Sequence, residues 1–198
     1  MLPNENKRDS AADGHRPRTL KTIAATVAVL AAISIVGALA FIYSGSFDVT
    51  ATTPHWKITH RMLLAVREQS IKSQARDVKV PELDDPARVH AGFQNFHSMC
   101  VTCHNAPRAA PTEISKGLYP EAPNLAKSVK SRTPAELYMI IKHGLKMSGM
   151  PAWEPSPSGD EIWSIVAFLR TLPEMSDDEY QAAVEYYEAG GKGGMHHQ

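Results

Sequence analysis

The sequence predicts an all-α protein: one membrane-spanning helix, a second amphipathic helix, and a small domain of short helices. Three observations carry this. Residues 22–43, TIAATVAVLAAISIVGALAFIY, run for 22 residues without a charge, long enough to cross a hydrocarbon core as a helix. Beyond residue 85, N-caps, capping boxes and closing glycines or prolines recur at helix-length intervals. No stretch shows the alternation of a strand, and no internal repeat is present.

The apolar segment comes first. Before Ile23 stand five basic residues (Lys7, Arg8, Arg16, Arg18, Lys21) against three acidic ones, and the first lysine after the segment is Lys57. That asymmetry puts the tail, 1–21, in the cytoplasm, makes 22–43 the anchor and exports the rest. A cleaved signal peptide is the competing reading, with Ala38-Leu39-Ala40 as its small-residue site, but the apolar run exceeds the roughly 7 to 15 residues of a signal core. A buried soluble helix would show a polar stripe, and this one has none.

Residues 44–53 read as a loop. Residues 54–75, PHWKITHRMLLAVREQSIKSQA, predict an amphipathic stalk helix with Trp56, Met62, Leu63, Val66 and Ile71 on its apolar side. Such a helix packs on the domain or the bilayer surface, or docks a partner. DVKVPELDD, 77–85, reads as linker. Asp85 and Pro86 then open a helix running into Cys100. Thr133 and Glu136 form a capping box for a helix that stops at Gly144. Ser158 with Glu161 opens a third, ended by Pro173, and Ser176 with Glu179 a fourth, ended by Gly190 and Gly191. The organisation is thus tail 1–21, anchor 22–43, stalk and linker 44–85, helical domain 86–175, and C-terminal helix and tail 176–198.

Composition narrows the function. Net charge is zero, so there is no basic face for a nucleic acid. Aromatic content is 7%, and a fold this small is expected to build its core around a cofactor that supplies apolar filling.

The chemistry sits in CVTCH, which holds both cysteines of the chain, Cys100 and Cys103, followed by His104. A structural zinc site needs four ligands, usually with a second cysteine pair, and the chain has none. A redox dithiol needs a βαβ setting, which the helical pattern does not provide. A c-type haem needs only two thiols and a histidine in this order. Cysteines three apart at a helix end share a face, so both sulfurs reach the vinyl groups of one porphyrin, and His104 is held against its iron. Export agrees, because this attachment occurs outside the bacterial cytoplasm.

Residues 86–172 resemble the class I c-type cytochromes, and the layout as a whole resembles the membrane-anchored monohaem cytochromes of Gram-negative bacteria. Gly92 and Phe96 stand eight and four residues before Cys100, where that family has a glycine and an aromatic that let its first helix cross its last closely. Ile165, Val166, Ala167 and Phe168 offer the other side of that crossing. The loop APNL, 122–125, is similar to the family's loop whose proline carbonyl, here Pro123, accepts the haem histidine's Nδ1 hydrogen. In KMSGMPAW, 146–153, the resemblance makes Met150 the distal iron ligand, with Met147 as the alternative and His143 a weaker competitor; Trp153 would be pocket wall.

The resemblance implies one covalent haem c, iron held by His104 and Met150, and a fold of class I cytochrome c behind an anchor and a stalk helix. The implied place is the bacterial inner membrane, single-pass, with the haem domain in the periplasm. Two protein ligands leave no open coordination position and no expected small-molecule substrate. The implied function is electron transport between redox proteins in or at the membrane, without catalysis. The alternatives are a dedicated haem subunit of one oxidoreductase and, less favoured, a catalytic five-coordinate haem. His55, His60, His90 and His97 read as surface or stalk residues, with His97, one turn from Cys100, also placed to touch a haem propionate. The terminal GGKGGMHHQ invites a copper site at Met195, His196 and His197, but a glycine-rich solvated tail lacks a preorganised ligand set.

Overall fold

A run of apolar residues that satisfies its own polar groups can persist as a long helix, and α1 (His15–Tyr43) does so. Its hydroxyls bond back one turn: Thr22 Oγ1 donates to the Arg18 carbonyl, Thr26 Oγ1 to that of Thr22 and Ser34 Oγ to that of Leu30. The hydroxyls of Thr22, Thr26 and Ser34 are thus satisfied within the helix. The computed structural model describes residues 15–107, 109–154 and 158–190, so most of the N-terminal tail and the residues Met195, His196 and His197 lie outside it. The chain forms two compact units, Met1–Thr50 and Ala51–Gln198.

The second unit is all-α; no strand occurs among the described residues. It comprises α2 (Lys57–Ala75), α3 (Pro86–Asn95), a π-helical turn (Phe96–Cys100), α4 (Val101–His104), α5 (Glu113–Lys116) and α6 (Leu125–Ser128). A 3-10 turn (Val129–Ser131), α7 (Pro134–His143), α8 (Gly159–Thr171) and α9 (Asp177–Glu188) complete it. The capping boxes expected at Thr133, Ser158 and Ser176 are all formed, with each hydroxyl on the backbone N–H three residues on and each glutamate on the cap's own N–H. Asp85 caps α3 with Pro86 at its first position.

The core is the crossing of α3 and α8. Ile162 to Leu169 of α8 are buried without a break, and Phe93 and Phe96 meet Phe168 from the other side. Gly92 makes this approach possible: a Cβ there would lie 1.8 Å from the Ser164 carbonyl oxygen. α7 packs on α8, with Tyr138 stacked on Trp163 at 4.2 Å, and Tyr180 of α9 is buried against Phe93 and Phe96.

Three expectations need correction. α2 starts at Lys57, and only part of its predicted apolar side is covered: Ile71 is buried, with Ala75 beside it, whereas Trp56, Met62 and Val66 are 62–69% exposed. The inner face also carries an ion pair, Glu68 with Arg132, which apolar residues alone do not outline. The segment 77–85 is no free linker, because Leu83 joins the core and Asp84 pairs with Arg170 at 2.9 Å. The helix entering Cys100 is not continuous α-helix: the Val101 N–H reaches back to the Phe96 carbonyl, a π-turn that inserts one extra residue.

Candidate haem site

The CxxCH stretch closes the helical path that begins at Asp85. The π-turn ends on Cys100 and α4 carries Cys103 and His104, all three lining a cavity of about 640 Å³; α4 then stops at Asn105, whose φ is positive at 61°. With ψ at 154°, Asn105 lies outside the left-handed helical well, in a region almost confined to glycine. Its side chain accepts from the Thr112 N–H, which ties the following loop back under the motif.

Met99 and Leu125 also face the cavity, as do Leu137, Ile141, Ile165 and Leu169 from α7 and α8. These walls are mainly apolar, which suits a flat hydrophobic ring system and excludes water from its centre. His104 Nδ1 lies 3.0 Å from the Pro123 carbonyl oxygen. That acceptor fixes the tautomer with hydrogen on Nδ1 and the lone pair on Nε2. Burial pushes the imidazole's pKa below its ordinary value, against the opposing pull of the Pro123 carbonyl, so the neutral, ligating form is favoured.

The loop after α7 supplies the sulfur. Gly144 ends α7 at φ 63°, where a Cβ would lie 2.5 Å from the Pro151 carbonyl carbon. The Leu145 N–H donates to the Met150 carbonyl at 3.1 Å, which turns the loop on itself. Met150 lines the cavity together with Pro151 and Trp153, whereas Met147 is 67% exposed. Met147 and His143 line a neighbouring cavity instead, and His143 Nδ1 lies 3.5 Å from Glu154. Geometry thus brings together Cys100, Cys103, His104, Pro123, Met150 and Trp153 around one space.

His97 is not among the residues that line it. Its Nδ1 lies 3.2 Å from the Tyr180 hydroxyl and its ring stacks on Phe93, within the aromatic cluster between α3 and α9. The cavity wall beside Cys100 is thus formed without His97.

The thiols exclude one rival chemistry. Both cysteines are unpaired, and burial pushes Cys100 up to about 12, with Cys103 adding a smaller like-charge effect. A catalytic dithiol requires the opposite shift, toward a stable thiolate. Zinc fares no better: among the described residues no group of three or more His, Cys, Asp or Glu is arranged to hold an ion.

Sequence reasoning missed part of the lining. Arg67 and Ile71 of α2, and Ser131 and Arg132 before α7, also face the cavity. Arg132 lies 64 residues from its partner Glu68, so no local spacing could have revealed the cluster.

An all-α domain that gathers a CxxCH motif onto an apolar cavity, with a methionine loop on the same space and one apolar spanning helix ahead of it, is a membrane-anchored c-type cytochrome. Its anchor crosses the inner membrane once, and its helical domain lies on the periplasmic side. Residues 87–169 match the family model described as cytochrome c oxidase, cbb3-type, subunit III. The match runs from α3 into α8 and leaves α1, α2 and α9 outside. No curated protein and no solved structure matches the chain.

Proposed function

We propose that the chain is the haem-bearing subunit of one membrane oxidoreductase complex of the oxidase type, relaying single electrons on the periplasmic face. The observation that carries this is the match of its helical domain to an oxidase subunit family, over the stretch that contains Cys100, Cys103, His104 and Met150. That match favours a dedicated subunit over the freely roaming carrier that the motif alone implies.

The residues present fit a haem c. Cys100 and Cys103 would tether it through thioether bonds, His104 would offer a neutral imidazole nitrogen oriented by Pro123, and Met150 a soft thioether. When bound, the group supplies a one-electron iron couple whose potential a thioether ligand raises. With an imidazole and a thioether both supplied by side chains, the site would offer no place to a substrate, and the apolar walls from α7 and α8 would keep bulk water away. Residues 22–43 hold the subunit at the membrane and 86–175 form its haem domain.

The test uses the full-length holo-protein, solubilised in mild detergent. Stoichiometric co-purification of other redox subunits is expected, and recovery of the chain alone would return the reading to a diffusing carrier. Carbon monoxide decides the ligand set. The reduced wild-type protein should not bind it, Met150→Ala should, and Met147→Ala should behave as wild type; carbon monoxide binding by the wild type would favour a five-coordinate haem enzyme.

A further inference from the structure

α2 lies outside the stretch that matches the oxidase-subunit family, yet Arg67 and Ile71 of this helix line the same cavity as Cys100, His104 and Met150. Arg132 lines it too. The two arginines are joined by one carboxylate. Arg132 grips Glu68 as a fork, at 2.6 Å to Oε2 and 2.7 Å to Oε1, while Arg67 donates to Oε1 at 3.0 and 3.3 Å. Glu68 is thereby held ionised, its pKa lowered to about 2 chiefly by the Arg132 hydrogen bond.

Two cations share one bonded carboxylate, with Glu136 a lesser negative charge acting on Arg132. Each guanidinium has five N–H donors, and Glu68 engages two on each, so donors remain for a further anion. Apart from His104, Arg67 and Arg132 are the basic side chains of the cavity lining, and Ser128 and Ser131 stand beside them there. The rest of the wall is largely apolar. A haem that buries its ring among apolar side chains carries two carboxylates that need charged partners.

We propose that α2 is a wall of the haem pocket, and that Arg67 and Arg132, clamped together by Glu68, receive a haem propionate. This rests on the reading of the cavity as a haem site. The stalk helix then tunes the cofactor. A cation at this edge favours the reduced haem, which carries one positive charge fewer, and the Glu68 carboxylate opposes it.

The signs make the test specific. At a fixed electrode potential, Arg67→Gln in the full-length holo-protein should lower the reduced-to-oxidised ratio about fivefold, equivalent to roughly 40 mV for a one-electron couple. Arg67→Lys should restore most of it, and Glu68→Gln should move the ratio the other way. An unchanged ratio in Arg67→Gln overturns the proposal. So does a fall in both Arg67→Gln and Glu68→Gln, the result of simply loosening α2 and wetting the pocket. Should Glu68→Gln yield no holo-protein, the comparison of Arg67→Gln with Arg67→Lys decides alone. A colourless wild-type protein would instead remove the haem reading itself.

Discussion

Individual residues set the closest tolerances at the α3–α8 crossing. Gly92 has the backbone of Ser164 where its Cβ would be, at 1.8 Å from the carbonyl oxygen and 2.5 Å from the carbonyl carbon, with Phe168 Cβ at 2.8 Å. None of these is the movable tip of a long side chain. Gly92→Ala should therefore separate α3 from α8 and cost about 3 kcal/mol or more, read as a fall in the thermal unfolding midpoint of the holo-protein. A midpoint unchanged within a degree or two would show that the crossing can relax. The CxxCH residues were legible because they stand together in the chain, and Gly92 and Phe96, up to a dozen positions earlier, because they match the pattern of the family the sequence resembles. The choice of Met150 over Met147 was half legible. Both sit in one loop, and only the turn that pairs the Leu145 N–H with the Met150 carbonyl shows which one faces the cavity.

Among the elements, α2 and the π-turn hold the most chemistry and were the least readable. α2 docks through the Glu68–Arg132 ion pair together with Ile71 and Ala75, while Met62 and Val66 of its apolar stripe face outward. Its docking carries a pH dependence. The folded-state pKa of Glu68, about 2, lies below the ordinary 4.5, so the ionised carboxylate favours the docked state. That contribution is complete above about 4.5 and fades as pH falls toward 2. Thermal midpoints of the wild type and Glu68→Gln should differ at pH 7 and converge as the pH drops through this window; a constant gap would mean that the ion pair does not hold α2. The π-turn matters through register. The turn already takes up one extra residue; an alanine inserted after Ser98 would exceed that, and since each α-helical residue turns the chain by about 100°, Cys100 and His104 would swing off the cavity wall. The insertion variant should remain helical by circular dichroism and fail to attach haem. Helix starts, in contrast, were legible almost to the residue, because caps are local: each box needs only a hydroxyl and a glutamate three positions on.

At the scale of the molecule, the sequence announced an anchor and a helical domain with little ambiguity, since a charge-free run of 22 residues has few other uses. It could not announce that five separate stretches, from α2 to α8, share one cavity, because that depends on contacts between residues far apart in the chain. The cavity dominates the energetics. If nothing filled its roughly 640 Å³, the lost packing would be on the order of 15 kcal/mol at the penalty measured for apolar voids, an upper bound since water can enter. This rivals the whole stability of a domain of this size. The double variant Cys100→Ala, Cys103→Ala should accordingly lack a cooperative unfolding transition and be cut rapidly by protease, while a sharp transition would show that the helices hold without the cofactor. If a haem c fills the cavity, as proposed, tertiary structure would be the last stage of biogenesis: pigment would be fastened to a loose polypeptide, which would then close around it. A cell short of iron would be left with fewer copies of the protein, since chains that never receive their pigment would be open to its exported proteases.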